Sequence, residues 1–113
     1  MNLNQIHNVF FIGIGGIGMS ALARYFKTIG KNVSGYDKTP SMLTDELIAS
    51  GIEIHFEDRI DLISKEYYVE NTLVIITPAV PVTHSQWNYF LERDYDCLLY
   101  TFRAHETEAD LVC

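Results

Sequence analysis

Val9-Phe-Phe-Ile-Gly-Ile-Gly-Gly-Ile-Gly-Met-Ser-Ala-Leu-Ala23 decides the fold. Its first part belongs to a nearly continuous apolar run, His7 to Ile14, with Val9, Phe10, Phe11 and Ile12 at its centre. A strand buried on both faces of a parallel sheet reads this way. Glycines interrupt it at Gly13, Gly15, Gly16 and Gly18. From Ile17 the apolar period changes, since Met19, Leu22, Ala23, Phe26 and Ile29 recur at helical spacing and Gly30 stands where a helix would stop. The stretch predicts strand, glycine loop, helix.

The same alternation continues downstream. Lys31 to Asp37 is a short second strand with Val33 and Gly35 on one face, and it leaves through the polar cluster Asp37-Lys-Thr-Pro40. Thr39 or Ser41 is placed to cap a second helix, with Pro40 in its first turn, Leu43, Leu47 and Ile48 as its apolar stripe and Gly51 at its end. Ile52, Ile54 and Phe56 suggest a third strand. Asp58 to Lys65 predicts a short helix carrying Ile60, Leu62 and Ile63, and Thr72 to Thr77 a fourth strand buried on both faces. Pro78 and Pro81 enclose a stiff loop, and His84 or Ser85 begins a helix anchored by Trp87, Phe90 and Leu91. Cys97 to Tyr100 suggests a fifth strand. The expected fold is therefore α/β, a Rossmann-like doubly wound and mainly parallel five-stranded sheet with helices on both faces.

In such sheets ligands sit outside the carboxyl ends of the strands, where strand order reverses. Three loops fall there. Gly13, Gly15 and Gly18 satisfy G-x-G-x-x-G between a strand and a helix. Residues lacking Cβ let the backbone approach a diphosphate, and the N–H groups at the head of the following helix bind its charge. Gly15, Gly16, Ile17, Gly18, Met19 and Ser20 are the candidate diphosphate residues, with the Ser20 hydroxyl a further donor and Met19 equally suited to packing against the sheet. Asp37, 19 residues beyond Gly18, can accept hydrogen bonds from ribose or from a base N–H, or cap a helix. Thr77, Pro78 and Ala79 face the glycine loop across the switch point, as a nucleotide contact or a plain proline turn. His84 lies beside this third loop and is a further candidate, whereas His7, His55 and His105 fall outside it, with His55 alternating out of the third strand. Valine at Gly16 or Gly18 is expected to block the diphosphate and leave the fold largely intact.

Composition narrows the function. A net charge of −7 with only eight Lys and Arg argues against a nucleic-acid partner, which needs clustered cations. No apolar run approaches the ~20 residues of a spanning helix. Nothing at Met1-Asn-Leu-Asn resembles a basic leader followed by a cleavage site, so a cytoplasmic location is expected. Cys97 and Cys113 stand apart without metal-ligand spacing, and His105-Glu-Thr-Glu108 lacks the second histidine of a zinc helix. No metal site and no catalytic triad are expected. G-x-x-x-x-G-K-[ST], the loop of many ATP-cleaving enzymes, is absent.

Ile6 through Ala23, then Val33-Ser-Gly-Tyr-Asp37, then Thr77-Pro-Ala-Val80 together resemble the start of the UDP-N-acetylmuramate:L-alanine ligases, Mur ligases of peptidoglycan synthesis. The resemblance covers roughly residues 5 to 95. It implies a first domain, 1–95, that holds the UDP moiety of UDP-N-acetylmuramate. Gly15 to Ser20 would lie at the diphosphate, with Asp37 and Thr77 to Ala79 near the uridine. It further implies that ATP and magnesium act in a central domain, where an acyl phosphate forms on the muramoyl carboxylate and is attacked by L-alanine. Residues 96–113 diverge from the family and are read as a tail with a fifth strand and an unstructured end. Central and C-terminal ligase domains do not follow, so the isolated chain is expected to be inactive and to need no cofactor of its own. Two other readings compete. One is an NAD(P)-type dinucleotide-binding module using the same glycines and Asp37, and the other is an interaction module or homodimer burying Trp87, the tyrosines or the tail.

Overall fold

The computed structural model describes residues 2–101 and 110–112. Five strands, β1 (Asn8–Ile12), β2 (Asn32–Tyr36), β3 (Glu53–His55), β4 (Thr72–Ile76) and β5 (Asp96–Thr101), form one parallel sheet. A short β6 (Asp110–Val112) adds to it antiparallel to β5, giving the order β3-β2-β1-β4-β5-β6. Part of the expected unstructured end is therefore a strand, while His105 and Cys113 lie outside the described residues. Three helices, α1 (Ile17–Thr28), α2 (Met42–Ala49) and α3 (Ser85–Glu92), make the crossovers together with a 3-10 turn at Ile60–Leu62. The expected doubly wound fold is the one observed.

Strand alternation sorts the core into two layers. Val9, Phe11, Leu73 and Ile75 face Met19, Ala23 and Phe26 of α1 and Leu47 of α2. Phe10, Ile12, Val74 and Ile76 face the other way, onto Phe90 of α3 and Ile63 and Tyr67 of the preceding connection. All five residues of β1 and all five of β4 are buried, which is why these segments are apolar after their first residues, Asn8 and Thr72. Gly35 in β2 permits close approach: a Cβ there would lie 2.6 Å from the Phe11 carbonyl oxygen.

Several local expectations are corrected by packing. Ser41 is the cap of α2, and its hydroxyl and that of Thr44 each bind the other's N–H, so Pro40 precedes the cap instead of entering the first turn. The buried face of α2 is Thr44 and Leu47, while Ile48 is exposed. Asp58 to Lys65 makes only the 3-10 turn, because Ile63 alone of its three apolar residues is buried. In α3, Phe90 is the anchor, Trp87 is half-buried and Leu91 is exposed. His55 points inward: its ring meets Phe10 and Tyr36, and its Nε2 is 2.7 Å from Gln86 Nε2. No helix among the described residues is long and apolar enough to cross a membrane.

Candidate functional site: a cleft at the switch point

Strand order reverses between β1 and β4, so the connections leaving these strands in opposite directions open a crevice at their carboxyl ends. The glycine loop is bound to the end of β2 along its length. Gly13 and Ile14 donate N–H groups to the Tyr36 carbonyl at 2.8 and 3.0 Å, and Gly15 donates to Asp37 Oδ2 at 2.7 Å. Gly13 has φ +92°, a left-handed conformation that favours glycine, and a Cβ there would also collide with the Thr77 side chain. A Cβ on Gly15 would fall 2.6 Å from Asp37 Oδ2. These glycines allow three chain segments to converge.

Past the loop the donors are open. Gly16 occupies the N-cap position of α1 and supplies no side-chain cap. Among the described residues, the N–H groups of Ile17, Gly18 and Met19 have no hydrogen-bond partner. An uncapped helix start concentrates partial positive charge and donors in one direction. Ser20 departs from expectation. It is 1% exposed, its hydroxyl donates to the Ile17 carbonyl at 2.9 Å, and its N–H is bound to Gly16. Serine hydroxyls inside helices readily bond back to a carbonyl one turn earlier, which leaves this one no donor for a ligand.

Asp37 is also more engaged than its position in sequence suggests. Besides Gly15, it accepts the Thr39 N–H on Oδ1 at 3.1 Å. It caps no helix, since Ser41 does that. Its carboxylate ties the first loop to the second.

The third loop leaves β4 as Thr77-Pro-Ala-Val-Pro81, held by Thr77 N–H on the Ile12 carbonyl and Val80 N–H on the Thr77 carbonyl. His84 follows as the N-cap of α3, its Nδ1 accepting the Trp87 N–H at 3.3 Å. That bond places the ring proton on Nε2 in the neutral form. Nε2 lies 3.3 Å from Asp58 Oδ1, without the alignment of a hydrogen bond. Asp58 also accepts the Ser85 and Gln86 N–H groups at 2.7 and 2.9 Å, so a carboxylate from another loop caps α3. Burial holds the His84 pKa below its ordinary value, with Asp58 opposing and His55 reinforcing the shift. For Asp58, burial acts upward but is outweighed by the Ser85 and Gln86 bonds and by His84, and the pKa is lowered. Tyr36 packs on His84 with ring centroids 4.6 Å apart, and burial, with Asp58 and Asp37 nearby, raises its phenol pKa.

The resulting cleft has two lobes that share Gly16, Thr77 and Ala79. One, about 420 Å³, is bounded by Ile17, Gly18, Met19, Pro78 and Tyr100. The other, about 300 Å³, is bounded by Tyr36, Asp37, Lys38, Val80 and His84, among others. Gly16, Ile17, Gly18, Met19, Asp37, Thr77, Pro78, Ala79 and His84 are thus brought together. Gly15 lies behind Asp37, and Ser20 is withdrawn. Sequence reasoning missed Tyr36, Lys38 and Tyr100. The first two flank Asp37 and could have been suspected. Tyr100 was visible only as the end of a fifth strand.

Fold and cleft define a Rossmann-like domain with a glycine-rich first crossover. The chain matches the Mur ligase family, catalytic domain, over residues 8–97. It is 85% identical over 95 residues to the UDP-N-acetylmuramate–L-alanine ligase of Flavobacterium psychrophilum and 50% identical over 97 residues to that of Phocaeicola vulgatus. These alignments cover 84% and 85% of this chain and 21% of each relative. The crystal structure of UDP-N-acetylmuramate-alanine ligase from Thermotoga maritima superimposes with a TM-score of 0.70 at 30% identity, covering 80% of this chain and 20% of that one. This chain belongs to the Mur ligase family. It spans about a fifth of the length of the relatives it matches.

Proposed function

We propose that this chain binds the UDP moiety of UDP-N-acetylmuramate, as the N-terminal domain of a cytoplasmic ATP-dependent ligase that adds L-alanine in peptidoglycan synthesis. The observation that carries the reading is the set of open N–H groups at Ile17, Gly18 and Met19, facing a cleft closed opposite by Thr77, Pro78 and Ala79. Those groups would receive the diphosphate. The uridine would occupy the lobe of Tyr36, Asp37, Lys38 and His84. The names of the relatives support the nucleotide-sugar over other diphosphates.

ATP and magnesium are assigned to a central domain of the parent enzyme. The phosphate loop with its lysine is absent from the sequence, and the described residues contain no group of three or more His, Cys, Asp or Glu able to hold a metal ion. The contribution assigned to this chain is binding and orientation, with chemistry belonging to further domains of the parent enzyme; alone it would be inactive.

The competing dinucleotide reading draws on Asp37 at the end of β2, where a ribose-binding acid stands in dinucleotide folds. Asp37 accepts one backbone N–H on each oxygen and serves either reading; the names of the relatives favour the nucleotide-sugar. The test is a parallel calorimetric titration of the purified chain with UDP-N-acetylmuramate, UDP and NAD, with amide NMR shifts recorded. Binding of the uridine ligands with shifts at Gly16 to Met19 is the expected result. NAD binding alone, or no binding by any of the three, would overturn the reading.

A further inference from the structure

We propose that Tyr100 is a ligand-contact residue of this cleft, its hydroxyl donating to the second phosphate of the bound nucleoside diphosphate. The proposal rests on the nucleotide reading above and adds to it a residue beyond position 97, where the match to the family ends. Tyr100 lies near the carboxyl end of β5, on the face that packs with Met19 and Ala23 of α1. It is 5% exposed. Its hydroxyl nevertheless borders the larger lobe, and among the described residues it has no hydrogen-bond partner.

A tyrosine buried to this degree ordinarily finds a partner for its O–H. Here the position that would supply one is the lobe itself. Gly18 makes the arrangement possible: a Cβ at that position would fall within the phenol, 2.8 Å from Cε1. The missing side chain brings the hydroxyl against the first turn of α1, beside the open N–H groups of Gly18 and Met19. Two independent sets of unpartnered donors, one from the main chain and one from β5, therefore converge on the same lobe. Among the described residues no charged side chain lines it. A cluster of neutral donors suits a group that only accepts hydrogen bonds, as phosphate oxygens do. The other lobe, with Asp37, Lys38 and His84, offers the mixed donors and acceptors that a nucleoside needs. A diphosphate spanning the shared Gly16 would put its second phosphate beside Tyr100.

The experiment compares the full chain with Tyr100→Phe, titrating UDP and UMP by calorimetry. Phenylalanine keeps the buried ring. UDP is expected to bind Tyr100→Phe about tenfold more weakly, as fits loss of a hydrogen bond to a charged acceptor, with UMP affinity unchanged. Equal UDP affinity in the two proteins would overturn the assignment and leave the nucleotide reading standing. An equal loss for UDP and UMP would also overturn it, since the hydroxyl would then serve the fold or the first phosphate. Failure of the unaltered chain to bind UDP would remove both proposals together. A second readout needs no stable variant: the ring NMR signal of Tyr100 is expected to shift with UDP and to stay in place with uridine, and a signal indifferent to both would refute the contact.

Discussion

Removing the Asp37 carboxylate tests how the glycine loop is held. In Asp37→Ala, the half-buried Gly15 N–H loses its acceptor at 2.7 Å and the exposed Thr39 N–H loses one at 3.1 Å. Water replaces the second at little cost. The first is a charge-assisted bond, a class worth about 1.5–3 kcal/mol, and its partial exposure puts it near about 1.5 kcal/mol. With an unfolding entropy of about 2.1 cal/mol/K per residue, a chain of 113 residues should melt about 6 °C lower. Asp37→Asn keeps one carbonyl acceptor and should lose about half as much. Thermal unfolding followed by circular dichroism measures both, and hydrogen exchange at the Gly15 amide should quicken about tenfold if its protection comes from this bond. An alanine variant that melts with the unaltered protein and exchanges Gly15 at the same rate would refute the claim that Asp37 organises the loop.

Further outcomes follow from the same geometry. Gly16→Val should abolish UDP binding while the chain stays folded. Gly16 has φ −65°, and the nearest atom to an added Cβ is Met19 Cγ at 3.6 Å, so a folded variant with normal UDP affinity in calorimetry would contradict the site. Gly18→Val is no longer the clean companion test expected from sequence, because Tyr100 must move to admit it. Gly35→Ala should lower the melting temperature by about 10 °C, since the added carbon meets the Phe11 carbonyl in the middle of the sheet and overpacking costs about 1–3 kcal/mol, with a clash against backbone at the upper end. The pH dependence of stability should carry a signature of His84. Its folded pKa is depressed, so the unfolded chain binds the proton first and stability falls as pH drops below about 6.5, levelling off once the folded pKa is passed. Asp58, also depressed, adds a separate loss only below about 3.8. His84→Asn keeps a capping acceptor and should flatten the upper decline in melting temperature between pH 7 and 5; an unchanged slope would show that His84 does not carry it.

Local pattern was enough for the frame of this protein. The unbroken apolar runs at Val9–Ile12 and Leu73–Ile76 announced strands buried on both faces, and the change of period at Ile17 announced α1. Four glycines between them marked the first crossover. Each of these signals lies within a few residues of chain, where side-chain periodicity and the missing Cβ act directly on the backbone. Asp37 and Thr77 to Ala79 were legible for a related reason: once strands and helices alternate, the loops after strands must gather at one edge of the sheet.

What those loops do on meeting was not written locally. Asp37 lines the cleft, and the fold also turns its carboxylate to Gly15 and Thr39. Ser20 carried a hydroxyl at the right distance along the chain, but helix geometry folded that hydroxyl back onto Ile17. Asp58 caps α3 and borders His84 only because its connection crosses the face of the sheet that α3 covers. Tyr100 reaches Gly18 because β5 is laid beside β4 with its carboxyl end toward the cleft. Sequence periodicity determines which face of an element is buried. Which distant groups become neighbours depends on strand order and register, and those emerge only when all the buried faces are packed at once.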